Sequence, residues 1–299
     1  MPNAIKGKVR NSMTPVTNES TAAAPKVSVI IAVKNGIGTL QRCLDSIAAQ
    51  DFGSREVIVA DGASSDGTRE LLQRNAREGK VDSYVSEPDR GVYQAWNKGI
   101  QRSRGEWDCF LGCDDVFHDA SSLRALVEAG ERAGGSRIVY GRIERVSANG
   151  VLVETIGAPW EQAREGFFAG FNIPHPGTLH HSSIFKEGRH FDESYRIAGD
   201  YDLLLGELLE RAPAFVDRVV VDMGLGGISS RPGSIYKALQ EVSRARTSHG
   251  LRGTPARLRM ALTVAWFGSW IYRFFGARGY SRFADLYRVL RGKPRIWTA

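Results

Sequence analysis

Four carboxylates stand at the ends of apolar or glycine-rich stretches in the first two-thirds of this chain. Asp61 follows Glu56-Val57-Ile58-Val59-Ala60, and Asp114 and Asp115 follow Trp107-Asp108-Cys109-Phe110-Leu111-Gly112-Cys113. Asp200 lies within Ala198-Gly199-Asp200-Tyr201-Asp202. Acids at the carboxyl ends of strands open onto the crevice where open α/β sheets bind their ligands. Such acids can hold a divalent cation, accept from a ligand hydroxyl and take a proton from a reacting alcohol. Each also has an ordinary structural use: Asp61 and Asp66 suit an Asx turn and a helix cap, and Asp200 suits a cap.

The elements that would position these acids are legible. Lys26 to Val33 is almost wholly apolar and β-branched and reads as a buried parallel strand. Asn35-Gly36 turns the chain, and Leu40, Leu44, Ile47 and Ala48 recur at helical spacing. Arg55 to Ala60 predicts a second strand, and Ser65-Asp66-Gly67-Thr68 predicts the cap of a helix through Leu71 and Leu72. Val81 to Val85 and Asp108 to Leu111 read as further strands, with a helix over Val92 to Gln101 between them. This alternation predicts a doubly wound α/β sheet with right-handed crossovers. After Gly130 it weakens. Arg137 to Tyr140 and Val151 to Thr155 read as strands of a mixed sheet, Gly166 to Thr178 as loop, and Tyr201 to Glu210 as helix.

The stretch Asp61-Gly62-Ala63-Ser64-Ser65-Asp66-Gly67-Thr68 combines an acid that can accept from a base N–H or a ribose hydroxyl with glycines that allow close backbone approach. It is neither a Gly-x-Gly-x-x-Gly fingerprint nor a phosphate loop ending in Gly-Lys-Ser/Thr. Together with Val27-Ser28-Val29-Ile30-Ile31-Ala32-Val33-Lys34-Asn35, Asp89-Arg90-Gly91-Val92-Tyr93-Gln94-Ala95-Trp96-Asn97-Lys98-Gly99 and Leu111-Gly112-Cys113-Asp114-Asp115, it resembles the family 2 glycosyltransferases over about residues 26–230. The resemblance implies a single Rossmann-like A-type nucleotide-sugar-binding domain with a mixed central sheet. It also implies an inverting transfer of a sugar from a nucleoside diphosphate sugar, a UDP-sugar by preference, with Mg²⁺ or Mn²⁺.

Carried over residue by residue, it places donor contacts on Val33, Asn35, Asp61, Asp89, Gly91 and Asn97. Asp114 would contact the ribose or the metal, Asp115 would ligate the metal, and Arg231 or Ser229 would close over the phosphates. Cys113 replaces the first acid of the family's Asp-x-Asp motif, and beside a hard cation it reads as a bystander. Asp200 falls where the family places its catalytic base, although the Glu usually before it is replaced by Gly199; Asp202 is the rival. His180-His181 offers at most one ligand, because adjacent side chains diverge. The family's Gln-x-x-Arg-Trp motif is absent, which implies addition of single sugars. The same acids leave open a nucleotidyltransferase or a non-catalytic nucleotide-sugar-binding protein.

The charge is uneven. The 299 residues carry +7, but from Arg231 onward 14 Lys/Arg face two acids, Glu241 and Asp285, so that segment holds +12 and the rest −5. We read 1–25 as a flexible leader, 26–230 as the transferase domain (donor half about 26–117, acceptor half about 118–230) and 231–299 as a basic helical extension. Met260 to Tyr272 is 13 uncharged residues rich in aromatics, short of the roughly 20 needed to span a bilayer. It suits a helix lying at the inner membrane surface, near a glycan or lipid-linked acceptor, or one packed on the body or on a second subunit. No helix-turn-helix or zinc-finger pattern points to nucleic acid. Three cysteines form no disulfide framework, and the leader lacks the apolar core of a signal peptide, so a cytoplasmic enzyme is expected.

Overall fold

The computed structural model describes residues 24–147, 150–225, 227, 234–292 and 295. Its first part alternates as expected: β1 (Val27–Val33), α1 (Leu40–Ala48), β2 (Arg55–Asp61), α2 (Thr68–Arg77), β3 (Ser83–Ser86), α3 (Val92–Ile100) and β4 (Trp107–Gly112). The second part runs β5 (Val116–Phe117), α4 (Ser122–Arg132), β6 (Ile138–Val146), β7 (Leu152–Ile156), α5 (Trp160–Phe168), β8 (Leu179–His181), α6 (Ser183–Lys186), α7 (Gly199–Leu208) and β9 (Ala214–Gly224). Two further helices follow, α8 (Ser234–Ser248) and α9 (Ala256–Leu290).

All nine strands join one sheet in the order β3-β2-β1-β4-β8-β6-β9-β5, with β7 on β6. The four strands β3, β2, β1 and β4 are parallel, while β8 joins β4 antiparallel, so the sheet is mixed. This is the A-type α/β architecture. Alternate residues of β1 feed two cores. Val27, Val29, Ile31 and Val33 pack under α1, α2 and α4, and Ile30 packs under α3 and α7. Each fully buried aliphatic side chain of this kind contributes about 1.5–3 kcal/mol. Helix α3 lies unusually close to the sheet: a Cβ at Gly99 would sit 2.3 Å from Ile30 Cγ2. That close approach seats the last turn of α3 on β1.

Several expectations needed adjustment. The third strand begins at Ser83 rather than Val81, and the stretch expected to be loop from Gly166 starts inside α5. The 11-residue β9 was not foreseen; its register against β6 shifts twice around Arg142, which blurs any simple alternation. The basic extension is only partly separate. Its helix α8 packs on α7 and buries Glu241, Val242, Ala245 and Arg246.

Candidate active site

The donor-side loops are laced together by short-range polar contacts. The backbone turns through Asn35 at φ 53°, where its N–H donates to Ser64 Oγ (2.6 Å) and its Oδ1 accepts from Ser65 N (3.0 Å). Gly36 N donates to Thr68 Oγ1 (3.0 Å) and Ile37 N to Asp66 Oδ2 (3.1 Å). Asp61, 2% exposed, accepts from the Ser64 hydroxyl and N–H and from Ser86 Oγ (2.5 Å). A carboxylate offers about four acceptor sites, so room remains for one more donor. Val33 pairs with Asp61 in register, and Gly62 N donates to Val33 O (2.9 Å).

Asp89 stands against this loop, since a Cβ at Gly62 would meet its Oδ2 at 2.5 Å. Its Oδ1 accepts from Gly91 N (3.0 Å), which sets the start of α3. Gly91 has φ 143°, a conformation that other residues adopt only with strain. Arg90 pairs with Glu193 (2.6 Å). Asn97 is committed to the protein: it donates to Phe191 O (2.8 Å) and Glu193 Oε1 (3.3 Å) and accepts from Phe191 N (3.1 Å). It braces the 191–193 segment across α3.

Asp114 and Asp115 occupy the turn after β4. Asp115 is 5% exposed and its Oδ2 accepts from Gly112 N (2.8 Å). Burial, reinforced by the neighbouring Asp114, pushes its carboxyl up to about 7. Arg42, which donates to Asp114 O (3.4 Å), pulls the other way but less strongly, and the hard oxygens of Asp114 and Asp115 suit Mg²⁺ or Mn²⁺. Cys113 does not complete this set. Its Sγ points back to the β1–α1 turn, 3.7 Å from Thr39 Oγ1, and burial pushes the thiol up to about 11, so it stays protonated. Gly224, at the end of β9, closes over Asp114, where an added Cβ would meet Asp114 Oδ2 at 3.2 Å.

Asp200 opens α7 and is half-buried. Tyr93 Oη, from the start of α3, donates to its Oδ1 (3.2 Å), and Asn172 Nδ2 donates to its Oδ2 (2.8 Å). Burial pushes this carboxyl up to about 6. The contacts run without a break from Asp61 through Gly62, Asp89, Gly91 and Tyr93 to Asp200, and Gly36 meets Cys113 beside Asp114 and Asp115. The candidate acids therefore share the carboxyl edge of the parallel strands. Asp202 has other partners: its Oδ1 meets Tyr195 Oη (3.0 Å) and His249 Nε2 (3.2 Å).

The histidine pair also lies elsewhere. On β8, His180 and His181 pair with Asp108 and Trp107 at the opposite end of β4. His180 is fully buried among Phe110, His175 and Phe185, and burial holds it neutral. Arg231 and Ser229 lie outside the described residues, as does most of the expected leader.

Sequence reasoning missed three residues that hold the candidate base. Tyr93 sits inside a quoted motif, and Asn172 lies in the presumed loop. Glu241 comes from the basic extension. Its carboxylate, 8% exposed, accepts from the backbone N–H groups of Arg196 (3.1 Å), Ile197 (2.8 Å) and Ala198 (3.0 Å), two residues before Asp200. The one signal available was that an acid amid 14 cations is an exception needing a reason.

Comparison with known proteins agrees with this geometry. The family description Glycosyl transferase family 2 matches residues 28–186. A PGL/p-HBAD biosynthesis glycosyltransferase of Mycobacterium bovis (strain BCG / Pasteur 1173P2) is 33% identical over 182 residues, 60% of this chain and 68% of that protein. An uncharacterized glycosyltransferase of Mycobacterium tuberculosis (strain CDC 1551 / Oshkosh) is 29% identical over 225 residues, covering 74% and 84%. In fold, the chain is similar to S. aureus TarS 1-349 in complex with UDP-GlcNAc (TM-score 0.59, 19% identity, 88% of this chain and 77% of that one). It is equally similar to the mannosyltransferase PcManGT from Pyrobaculum calidifontis in complex with GDP-Man and Mn²⁺ (TM-score 0.59, 15% identity, 94% and 78%). With a matched family domain over more than half its length and its acids gathered at one sheet edge, the chain is a glycosyltransferase and belongs to glycosyl transferase family 2.

Proposed function

We propose that this enzyme is an inverting, metal-dependent transferase that moves one sugar from a UDP-sugar to a hydroxyl of a glycan acceptor, lipid-linked and presented at the inner face of the cell membrane. The observation that carries the reading is Asp200: a half-buried carboxyl at a helix start, steered by Tyr93 and Asn172, on the same sheet edge as Asp61, Asp114 and Asp115. In this reading Asp200 accepts the acceptor's hydroxyl proton as that oxygen bonds to the anomeric carbon and the bond to the diphosphate breaks on the opposite side. Its carboxyl near 6 is mostly ionised at neutral pH yet basic enough to take the proton.

Val33, Asn35, Asp61, Asp89 and Gly91 would line the nucleoside and sugar, with Asn97 behind them as a brace. Asp114 and Asp115 would hold Mg²⁺ or Mn²⁺, whose charge offsets that of the leaving diphosphate. Solved relatives in fold bind UDP-GlcNAc, or GDP-Man with Mn²⁺, which supports this class of donor. The cationic C-terminal extension supports the membrane-side acceptor.

Replacing Asp200 by Asn tests the reading. Turnover of nucleotide sugar should fall by about 10²–10⁴-fold while donor-induced thermal stabilisation persists. An Asp200→Asn enzyme that turns over normally would remove the assignment.

A further inference from the structure

Helix α9 is a hairpin. Its backbone leaves the helical region at Gly276 (φ 64°, ψ −166°), and the second arm folds back on the first. Phe283 lies 5.6 Å from Phe267, Tyr280 lies 6.0 Å from Tyr272, and a Cβ at Gly268 would touch Phe283 at 3.1 Å. The first arm is moored by fully buried Leu258, which packs beside Gly170.

The hairpin concentrates the apolar surface of the protein. Ten of the sixteen large exposed apolar side chains among the described residues belong to it, and its tip stands open, with Phe274 at 62% and Phe275 at 65%. Trp270 lies tilted against Phe274, with ring centroids 4.7 Å apart, and extends the tip. Patches of this extent on a soluble surface mark a partner. The charge around them is of one sign. Arg257, Arg259, Arg273, Arg278 and Arg282 are exposed, whereas the hairpin's one acid, Asp285, is buried. No helix among the described residues is long and apolar enough to cross a membrane. Aromatics flanked by exposed arginines, on an element too short to span, match the interface of an anionic bilayer, where rings sit at the headgroup boundary and cations pair with lipid phosphates.

We propose that the hairpin is an interfacial anchor. Trp270, Phe274 and Phe275 enter one leaflet, Arg273, Arg278 and Arg282 hold anionic headgroups, and Gly276 permits the tight reversal that presents this tip. The inference deepens the membrane-side acceptor proposed above and rests on that reading only for its purpose, since the binding itself needs no catalysis.

Flotation of the full chain with vesicles of phosphatidylglycerol and phosphatidylcholine in equal parts, against phosphatidylcholine alone, tests it. The protein should float with the anionic vesicles only. Each of Arg273→Gln, Arg278→Gln and Arg282→Gln should weaken partitioning by about fivefold. Phe274→Ser with Phe275→Ser should weaken it by at least about tenfold. Both phenylalanines are exposed, so the fold should survive, and donor-induced thermal stabilisation should equal that of the parent. A parent protein that stays in solution with both vesicles overturns the anchor. So does unchanged partitioning of the double Phe variant, or a dimer that this variant dissociates, which would assign the patch to a second copy. Flotation without any nucleotide-sugar stabilisation would instead remove the donor reading and leave the anchor standing.

Discussion

The proposed donor edge and the proposed acceptor edge of this enzyme hold their acids in different ways. Around Asp61 and Asp89 the work is done by backbone N–H groups and hydroxyls of adjoining loops, such as Asn35 with Ser64 and Ser65. Around Asp200 it is done by side chains from distant elements: Tyr93 on α3, Asn172 after α5 and Glu241 on α8, the last acting through the 196–198 backbone. The donor edge is thus a turn structure that short motifs can specify. The acceptor edge is an assembly, and the C-terminal extension is one of its parts.

The largest effects should separate the two edges by readout. Asp115→Asn should cost turnover on the order of 10²-fold or more and should also abolish the Mn²⁺-dependent part of donor stabilisation, which Asp200→Asn leaves intact. If Asp115→Asn kept metal-dependent stabilisation, the division of labour between the edges would be wrong.

Next comes Glu241→Gln. The carboxylate's charge-assisted bonds to three N–H groups would weaken, and the loop carrying Asp200 would lose its register. A kcat lower by about tenfold with an unchanged donor KM is expected, because a small misplacement of a reacting group is costly. Equal losses in kcat and in donor affinity would place Glu241 in general stability instead.

A subtler contrast lies in pH. Asp200 must be ionised to act as base, so kcat should rise through about pH 6 and level above it. The Tyr93 hydroxyl bond favours the ionised form, so Tyr93→Phe should move the inflection to higher pH; a shift to lower pH would contradict its role.

The smallest effect concerns Asp108, fully buried at the far end of β4, where burial pushes its carboxyl up to about 7. The folded chain then keeps a proton that the unfolded chain releases near pH 4, so stability from this group is full below that pH and declines as pH rises through about 7. Asp108→Asn should flatten that decline and raise the Tm by about 3 °C at pH 8, with activity unaffected. Calorimetry at pH 5 and pH 8 would show it, and an equal effect at both pH values would refute the assigned cause.

These contrasts track what could be read in advance. The β1 to β4 alternation was visible because buried parallel strands are continuous apolar runs, and the Asp61 to Thr68 turn was visible because turn chemistry acts over a few residues. β9 was not visible, since its register shifts against β6 and its burial is only partial. Asn97 and His180 looked like ligands by type; the one is used in bracing Phe191, and the other is enclosed by aromatic rings at the wrong end of the strand.

By itself the sequence determined the parallel donor half, the order of its acid-bearing turns, the family and the cationic character of the C-terminal segment. All of these are set by interactions among near neighbours or by composition. Only the tertiary structure decided that Asp200 rather than Asp202 faces the shared edge, that Glu241 secures it from α8, and that α9 doubles back at Gly276 with its aromatics outward. Those outcomes depend on which side chains meet once the chain has folded, as Glu241 meets Ile197 from 44 residues away and Phe283 meets Phe267 across the two arms of α9, and packing alone determines such meetings.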